Sequence, residues 1–157
     1  MSLHGRLLPT SALAAAVGGT WNVHPVTPDS SGIGECNRAD MTSIGASKQV
    51  RRDYLGDGLT AANVVARVPD EMTAHRALKV LESFHDRCTE KPGPLAPVTV
   101  TGGTGWWYLS GSAPYADGFG VAVVGTRFSL TSLDGGTRKA IATAMPDLVA
   151  VAAARLR

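Results

Sequence analysis

Cysteine is scarce in this chain: 157 residues carry two, Cys36 and Cys88. At most one bridge can form. Long apolar runs are missing too. Leu13 to Val17 is the kind of stretch present, far short of the roughly 18 residues that span a bilayer. Charge of one sign is not in excess. The net charge of +2 and the scattered Lys and Arg, with Arg51-Arg52 as a doublet, give no basic surface for nucleic acid. Met1-Ser2-Leu3-His4-Gly5-Arg6 lacks the basic start and following apolar stretch of a signal peptide. No internal repeat is visible. Catalytic signatures are absent as well: there is no Gly-x-Ser-x-Gly, Ser-x-x-Lys, His-Glu-x-x-His or Walker A pattern.

What is present is a globular composition. Hydrophobic residues make up 44% and charged residues 18%, which excludes a disordered chain or a coiled coil. The length suits one domain over residues 1–157 with a sizeable core. Cys36 sits in the irregular stretch Ser31-Gly32-Ile33-Gly34-Glu35-Cys36-Asn37, and Cys88 ends a well-patterned helix. A bridge between them would close a long loop and contribute about 4 kcal/mol on the chain-entropy model. It would also require an oxidising compartment. Met1-Ser2-Leu3 then reads as an expression scar standing where a signal or anchor belongs. Two other readings stay open. One is a cytosolic protein with two free thiols. The other is a Cys2His2 zinc site with His24 and His85, the latter three residues before Cys88 on the helix.

Along the chain, Thr10 or Ser11 can cap a short helix that Gly18-Gly19 ends. Trp21 to Val26 reads as extended, Thr27 to Gly34 as a loop. Lys48 to Leu55 and Ala62 to Val68 read as strands around a Gly56-Asp57-Gly58 turn. After Pro69, Asp70 is an N-cap, and Ala74, Ala77, Leu78, Leu81, Phe84 and Cys88 form one helical stripe. Lys91-Pro92-Gly93-Pro94 stops that helix. Val98 to Thr101 and Trp106 to Ser110 make a hairpin around Gly102-Gly103-Thr104-Gly105, which is a turn and not a phosphate loop, since no helix follows it. Phe119 to Val124 and Arg127 to Leu133 are further strands, with Gly118 and Gly120 suited to a bulge or close helix packing. Asp134-Gly135-Gly136 is a turn. Thr137 opens a last helix with the stripe Ile141, Ala144, Met145, Leu148, Val149, Ala152 and Leu156, which Pro146 should kink or split. The expected fold is α+β: a mostly antiparallel sheet, two long helices packed on one face, an irregular N-terminal segment and one disulfide.

Several stretches taken together resemble a known family. They are Leu7-Leu8-Pro9 through Trp21, the Cys36 loop, the Tyr54 strand, Phe84-His85-Asp86-Arg87-Cys88, Trp106-Trp107-Tyr108, and Gly120-Val121-Ala122-Val123-Val124-Gly125. They resemble the PknH-like extracellular sensor domains of actinobacterial Ser/Thr kinases and related cell-envelope lipoproteins, over most of the chain. The resemblance implies a place on the extracellular or periplasmic side of the cell envelope. It implies a sheet whose two long helices bound a ligand cleft, and the Cys36–Cys88 bridge. It supplies no catalytic residue. The kinase sensor domain carries two disulfides where this chain can form one, which fits a lipoprotein or secreted relative better.

The functional expectation is a sensor-like domain that binds a small molecule or envelope component, with no catalysis, cofactor or metal of its own. Membrane attachment would come only through an anchor outside this chain. Trp106 and Trp107 must point to opposite sides of their strand. Trp107 is therefore expected as the aromatic floor of a site on the sheet face away from the helices, or in the groove at its edge. Tyr54, Tyr115 and Arg52 are its expected neighbours, Arg52 as a polar anchor. The alternatives are an envelope protein that works through a protein partner, and an enzyme of unrecognised class.

Overall fold

The computed structural model describes residues 2–28, 32–37 and 40–157. Local chemistry sets most element boundaries. Asp70 accepts a hydrogen bond from the Thr73 backbone N–H at 2.7 Å and starts α2 (Glu71–Asp86). Thr137 does the same for Ala140 at 3.3 Å and starts α3 (Arg138–Leu156). Helix α3 runs on through Pro146 without splitting. Helix α1 (Thr10–Val17) follows Pro9 with no side-chain cap and ends at Gly18, whose φ of +77° suits glycine.

The strands are β1 (Asn22–Val23), β2 (Lys48–Leu55), β3 (Thr60–Arg67), β4 (Ala96–Val98), β5 (Gly103–Ser110), β6 (Tyr115–Val124) and β7 (Arg127–Thr137). They form one antiparallel sheet in the order β1-β2-β3-β7-β6-β5-β4. The expected α+β antiparallel fold is thus observed, with the Cys36–Cys88 bridge at a Cα–Cα distance of 5.2 Å. Several local readings shift. Gly103, Thr104 and Gly105, read as part of a turn, open β5, and β6 begins at Tyr115 instead of Phe119. The outer hairpin strand ends at Val98, where the sequence suggested it would begin. Asp134-Gly135-Gly136 continues β7 instead of turning.

One expectation is corrected. The two long helices lie on opposite faces of the sheet. Ala74, Ala77 and Leu81 of α2 share a core with Ala62, Val64, Ala66, Trp106, Tyr108, Phe119 and Leu130. Ile141, Met145, Leu148 and Val149 of α3 share the other core with Ala61, Val65, Ala122 and Leu133, together with Leu7, Leu8 and Leu13. Alternation along β3 assigns Ala62, Val64 and Ala66 to one face and Ala61 and Val65 to the other. All six residues from Ala61 to Ala66 are buried, as a strand covered on both faces must be.

The α3 face is closed by direct contact. A Cβ placed on Gly120 would fall 2.5 Å from Val149 Cγ2, and one on Gly118 2.7 Å from Ile141 and Met145. A β-bulge separates Ala116 from Gly118. The glycines therefore serve both anticipated purposes. At the rim, Arg155 donates from Nε to the Leu7 carbonyl at 2.8 Å, and Arg6 donates from Nη1 to the carbonyls of Arg155 and Arg157 at 2.8 and 2.7 Å. This exchange fastens the N-terminal segment to the end of α3.

The α2 face is closed differently. Helix α2 covers only part of it. Ile33, Cys36, Met41 and Ala46 of the irregular segment complete that core, and the bridge ties the segment to the end of α2. Leu78 and Phe84, expected to be buried, are half-buried beside it.

Candidate functional site

Antiparallel register builds a polar floor on the α2 side of the sheet. Asp53 pairs with Ala62, and Ala62 with Ser132; one row further, Leu55 pairs with Thr60, and Thr60 with Asp134. Paired residues point to the same face, so these six, with Arg51, form one surface. Gly32, Ile33 and Gly34 of the irregular segment make one wall and His24 another, enclosing a cleft of about 430 Å³. Arg51 donates from Nε and Nη2 to Asp53 Oδ1 at 3.1 and 2.9 Å.

Three carboxyl groups meet at the cleft's edge. Asp134 lies on its floor, Asp117 comes from β6, and Glu35 from the segment before Cys36. Asp117 is within hydrogen-bonding reach of both others, and Ser110 donates from its hydroxyl to Glu35 Oε2 at 3.2 Å. Burial, with Asp117 and Glu35 beside it, pushes the Asp134 carboxyl up to about 7. The Asp117 hydrogen bond, then burial, raises Glu35 as well, while Ser110 opposes the rise. Sequence reasoning did not find this cluster. Its members are scattered in the chain and meet only through strand register and a bulge.

The four expected ligand residues do not converge. Tyr54 lines the cleft, but it is buried and its hydroxyl donates to the Leu8 carbonyl at 2.6 Å, on the α3 side. Burial, partly offset by Arg52, pushes that hydroxyl up to about 12. Arg52 alternates away from Arg51 and sits 3.2 Å from His4 Nε2 through Nη2. Trp107 is half-buried among the residues packed under α3. It lies four strand spacings from β2, roughly 19 Å. Tyr115 opens β6 and is 61% exposed, on no cleft wall described. Among the described residues both sheet faces are covered, one by α2 and the irregular segment and the other by α3, so Trp107 is not on an open sheet face. Trp106 is the buried one, stacked on Tyr108 at 6.0 Å.

The two cysteines and His85 proposed for zinc are engaged otherwise, and His24 lines the cleft. Both sulfurs are in the bridge. His85 contacts the Gly93 carbonyl through Nε2 at 2.6 Å and lies edge-on to Tyr108. A disulfide of this kind belongs to an oxidising, extracytoplasmic compartment. Among the described residues, no helix is long and apolar enough to cross a membrane.

No family model matches the chain. No curated protein matches it in sequence. Solved structures do match. The extracellular domain of PknH from Mycobacterium tuberculosis is 13% identical, with a TM-score of 0.63, covering 94% of this chain and 93% of its own. An uncharacterized protein from Mycobacterium smegmatis, an Rv0999 ortholog, is 10% identical with a TM-score of 0.45, covering 97% of each chain. The chain has the fold of the PknH extracellular domain, as the sequence resemblance implied.

Proposed function

We propose that this is an extracytoplasmic sensor-like domain that binds a small molecule or cell-envelope component in the cleft over β2, β3 and β7, without catalysis. The cleft carries the reading. About 430 Å³ is within the size range of small-ligand sites, and its lining mixes the Arg51–Asp53 pair, His24, Ser132 and Asp134 with apolar Ile33, Leu55 and Ala62. The bridge and the shared fold support the extracytoplasmic setting.

Of the residues singled out in the sequence, Tyr54 stays in this proposal as part of the cleft wall. Trp107, Tyr115 and Arg52 lie elsewhere and would need sites of their own. The test is to incubate the folded protein with cell-envelope extract and recover it for native mass spectrometry. A discrete added mass on wild type, lost in an Asp53→Asn, Ser132→Val double variant, is expected. No added mass in wild type, or one that survives the double variant, would remove the cleft from consideration and leave a protein partner as the better reading.

A further inference from the structure

The lysines and arginines are scattered in the sequence, but the fold gathers six of them. Lys48 of β2 pairs with Arg67 of β3, and Arg67 pairs with Arg127 of β7. Residues paired in this way share a face, here the α3 face, with Cβ atoms about 5 Å apart. Like charges placed directly opposite one another cost stability. Beside this row, Arg127 donates from Nη1 to the Leu156 carbonyl at 3.1 Å, and Arg6 donates to the carbonyls of Arg155 and Arg157. Arg155 donates to the carbonyls of Leu7 and Gly5, and Arg52 lies 3.2 Å from His4. The six cations thus surround the junction of the N-terminal segment, the end of α3 and the ends of three strands.

The end of a helix accounts for part of this gathering. Its last carbonyls carry partial negative charge and favour Arg6 and Arg127. They do not account for Lys48 and Arg67, which are exposed and make no side-chain hydrogen bond or ion pair among the described residues. Nor do acids balance the six. Asp53 is on the other face of β2, bonded to Arg51. Asp70 and Glu71 start α2 on the other side of the sheet. Asp147 is exposed on α3, about two turns before Arg155. The chain has 15 Lys and Arg against 13 Asp and Glu, so with these six set apart nine face 13 in the remainder. Strand β7 runs from Arg127 toward Asp134, seven residues or roughly 23 Å away. A net charge of +2 therefore conceals a strongly dipolar molecule, which an anionic surface orients as it attracts.

We infer that this basic rim seats the domain on the surface of an anionic lipid bilayer. What lies among the cations favours a bilayer over a soluble polyanion. Val151 is 38% exposed one helical turn before Arg155, and Ala150 and Ala154 beside it are exposed too. Apolar surface next to cations suits the headgroup boundary, where apolar burial and attraction to anionic lipid add. The contact holds the domain against the membrane independently of any anchor, and independently of whether the cleft binds a ligand.

The test is co-sedimentation of the folded protein with vesicles of phosphatidylcholine alone or with about 30% phosphatidylglycerol. Binding to the anionic vesicles should be at least roughly tenfold stronger than to the neutral ones, and should fall steeply as salt rises from about 0.1 M to about 1 M. A Lys48→Glu, Arg67→Glu double variant should bind the anionic vesicles roughly tenfold or more weakly, because each reversal replaces attraction with repulsion. Lys48→Gln, Arg67→Gln, which removes the two charges without reversing them, should fall between it and wild type. The control is Arg76→Glu, Lys79→Glu on the exposed side of α2, which alters net charge equally on the other face of the sheet. It should change binding by less than about threefold, the effect of net charge alone. Variants are compared once their circular dichroism matches wild type. No binding of wild type to the anionic vesicles overturns the inference, as do equal losses in the rim and control variants. Tighter binding to a short DNA duplex than to the vesicles at the same phosphate concentration also overturns it, and would make the rim a site for a soluble polyanion.

Discussion

The two faces of the sheet are built by opposite means. On the α3 side, one long helix presses onto a row of glycines, and its aliphatic stripe from Ile141 to Leu156 is buried throughout. On the α2 side, a shorter helix covers part of the sheet and an irregular segment completes the cover, held by a disulfide and by the Ser110–Glu35 hydrogen bond. Regular packing leaves little room for a ligand or for motion. Irregular cover leaves a cleft walled by residues 32–34. The candidate site lies where the fold is closed by cross-links in place of helix packing, which agrees with the tendency of binding sites to sit on loops held by a rigid scaffold.

Removing the cross-link is the strongest way to break this contrast. The bridge spans a sequence separation of 52 residues, so a Cys36→Ser, Cys88→Ser double variant should lose about 4 kcal/mol. Urea denaturation measures the loss. In isoleucine methyl NMR spectra, Ile33 should lose its native signal before Ile141 does. Simultaneous loss would mean that the two faces are a single cooperative layer pair and that the contrast is only geometric.

The next effect compares truncations on the two faces. Leu148 is 1% exposed under the sheet, so Leu148→Ala should cost about 3 kcal/mol, within the range for buried leucines. Phe84 is only half-buried on the α2 side, so Phe84→Ala should cost less than the roughly 3–5 kcal/mol of a fully buried phenylalanine. A larger loss at Phe84 than at Leu148 would reverse the ranking of the faces.

The sequence makes these faces legible to different degrees. The caps at Asp70 and Thr137 could be read because an acceptor three residues ahead of a helical N–H is a local pattern. Gly118 and Gly120 could be read because a glycine in a strand signals a bulge or close approach. The side of the sheet taken by each helix could not be read from the helices, since an apolar stripe says that a face is buried and not against what. The signal was in β3. Ala61-Ala62-Asn63-Val64-Val65-Ala66 is nearly continuous in small apolar residues, the pattern of a strand covered on both faces. Its one polar member, Asn63, is fully buried and satisfied, accepting from the Leu8 N–H, while the two hydrogens of its Nδ2 are shared among Ser129 Oγ, the Leu130 carbonyl and Thr131 Oγ1. The ligand residues chosen from aromatic content failed to converge because strand order, which puts β2 and β5 four positions apart, is set by long-range pairing. The acids could not be read for the same reason.

A third test sharpens the account of the α3 side. Gly120→Ala places a methyl 2.5 Å from Val149 Cγ2 and 3.1 Å from Met145 Cε. Backbone β6 and α3 must separate to admit it, and overpacking of this kind costs about 2 kcal/mol. Val149→Ala in the same chain should recover part of the loss, because it removes the atom in the way. No recovery in the double variant would mean that Gly120 is needed for strand conformation and not for helix approach.

The smallest expected effect concerns pH and belongs to the α2 side alone. Asp134 has a carboxyl raised from 3.8 to about 7, first by burial and then by Asp117 and Glu35. A raised pKa means that the folded chain holds a proton which the unfolded chain has already released. Between those two values the folded state binds more protons, so stability falls as pH rises. The contribution is complete below about pH 4 and gone above about pH 7. Because the group lies at a cleft edge where solvent screens it, the change between about pH 5 and pH 8 should be only about 1 kcal/mol. Asp134→Asn should abolish it and should be more stable than wild type at the higher pH, since the amide carries no charge to repel its neighbours. Denaturant midpoints at the two pH values decide the matter. Stability that rises with pH in wild type, or falls equally in the variant, would show that the Asp134 carboxyl is not the source of the pH dependence on this face.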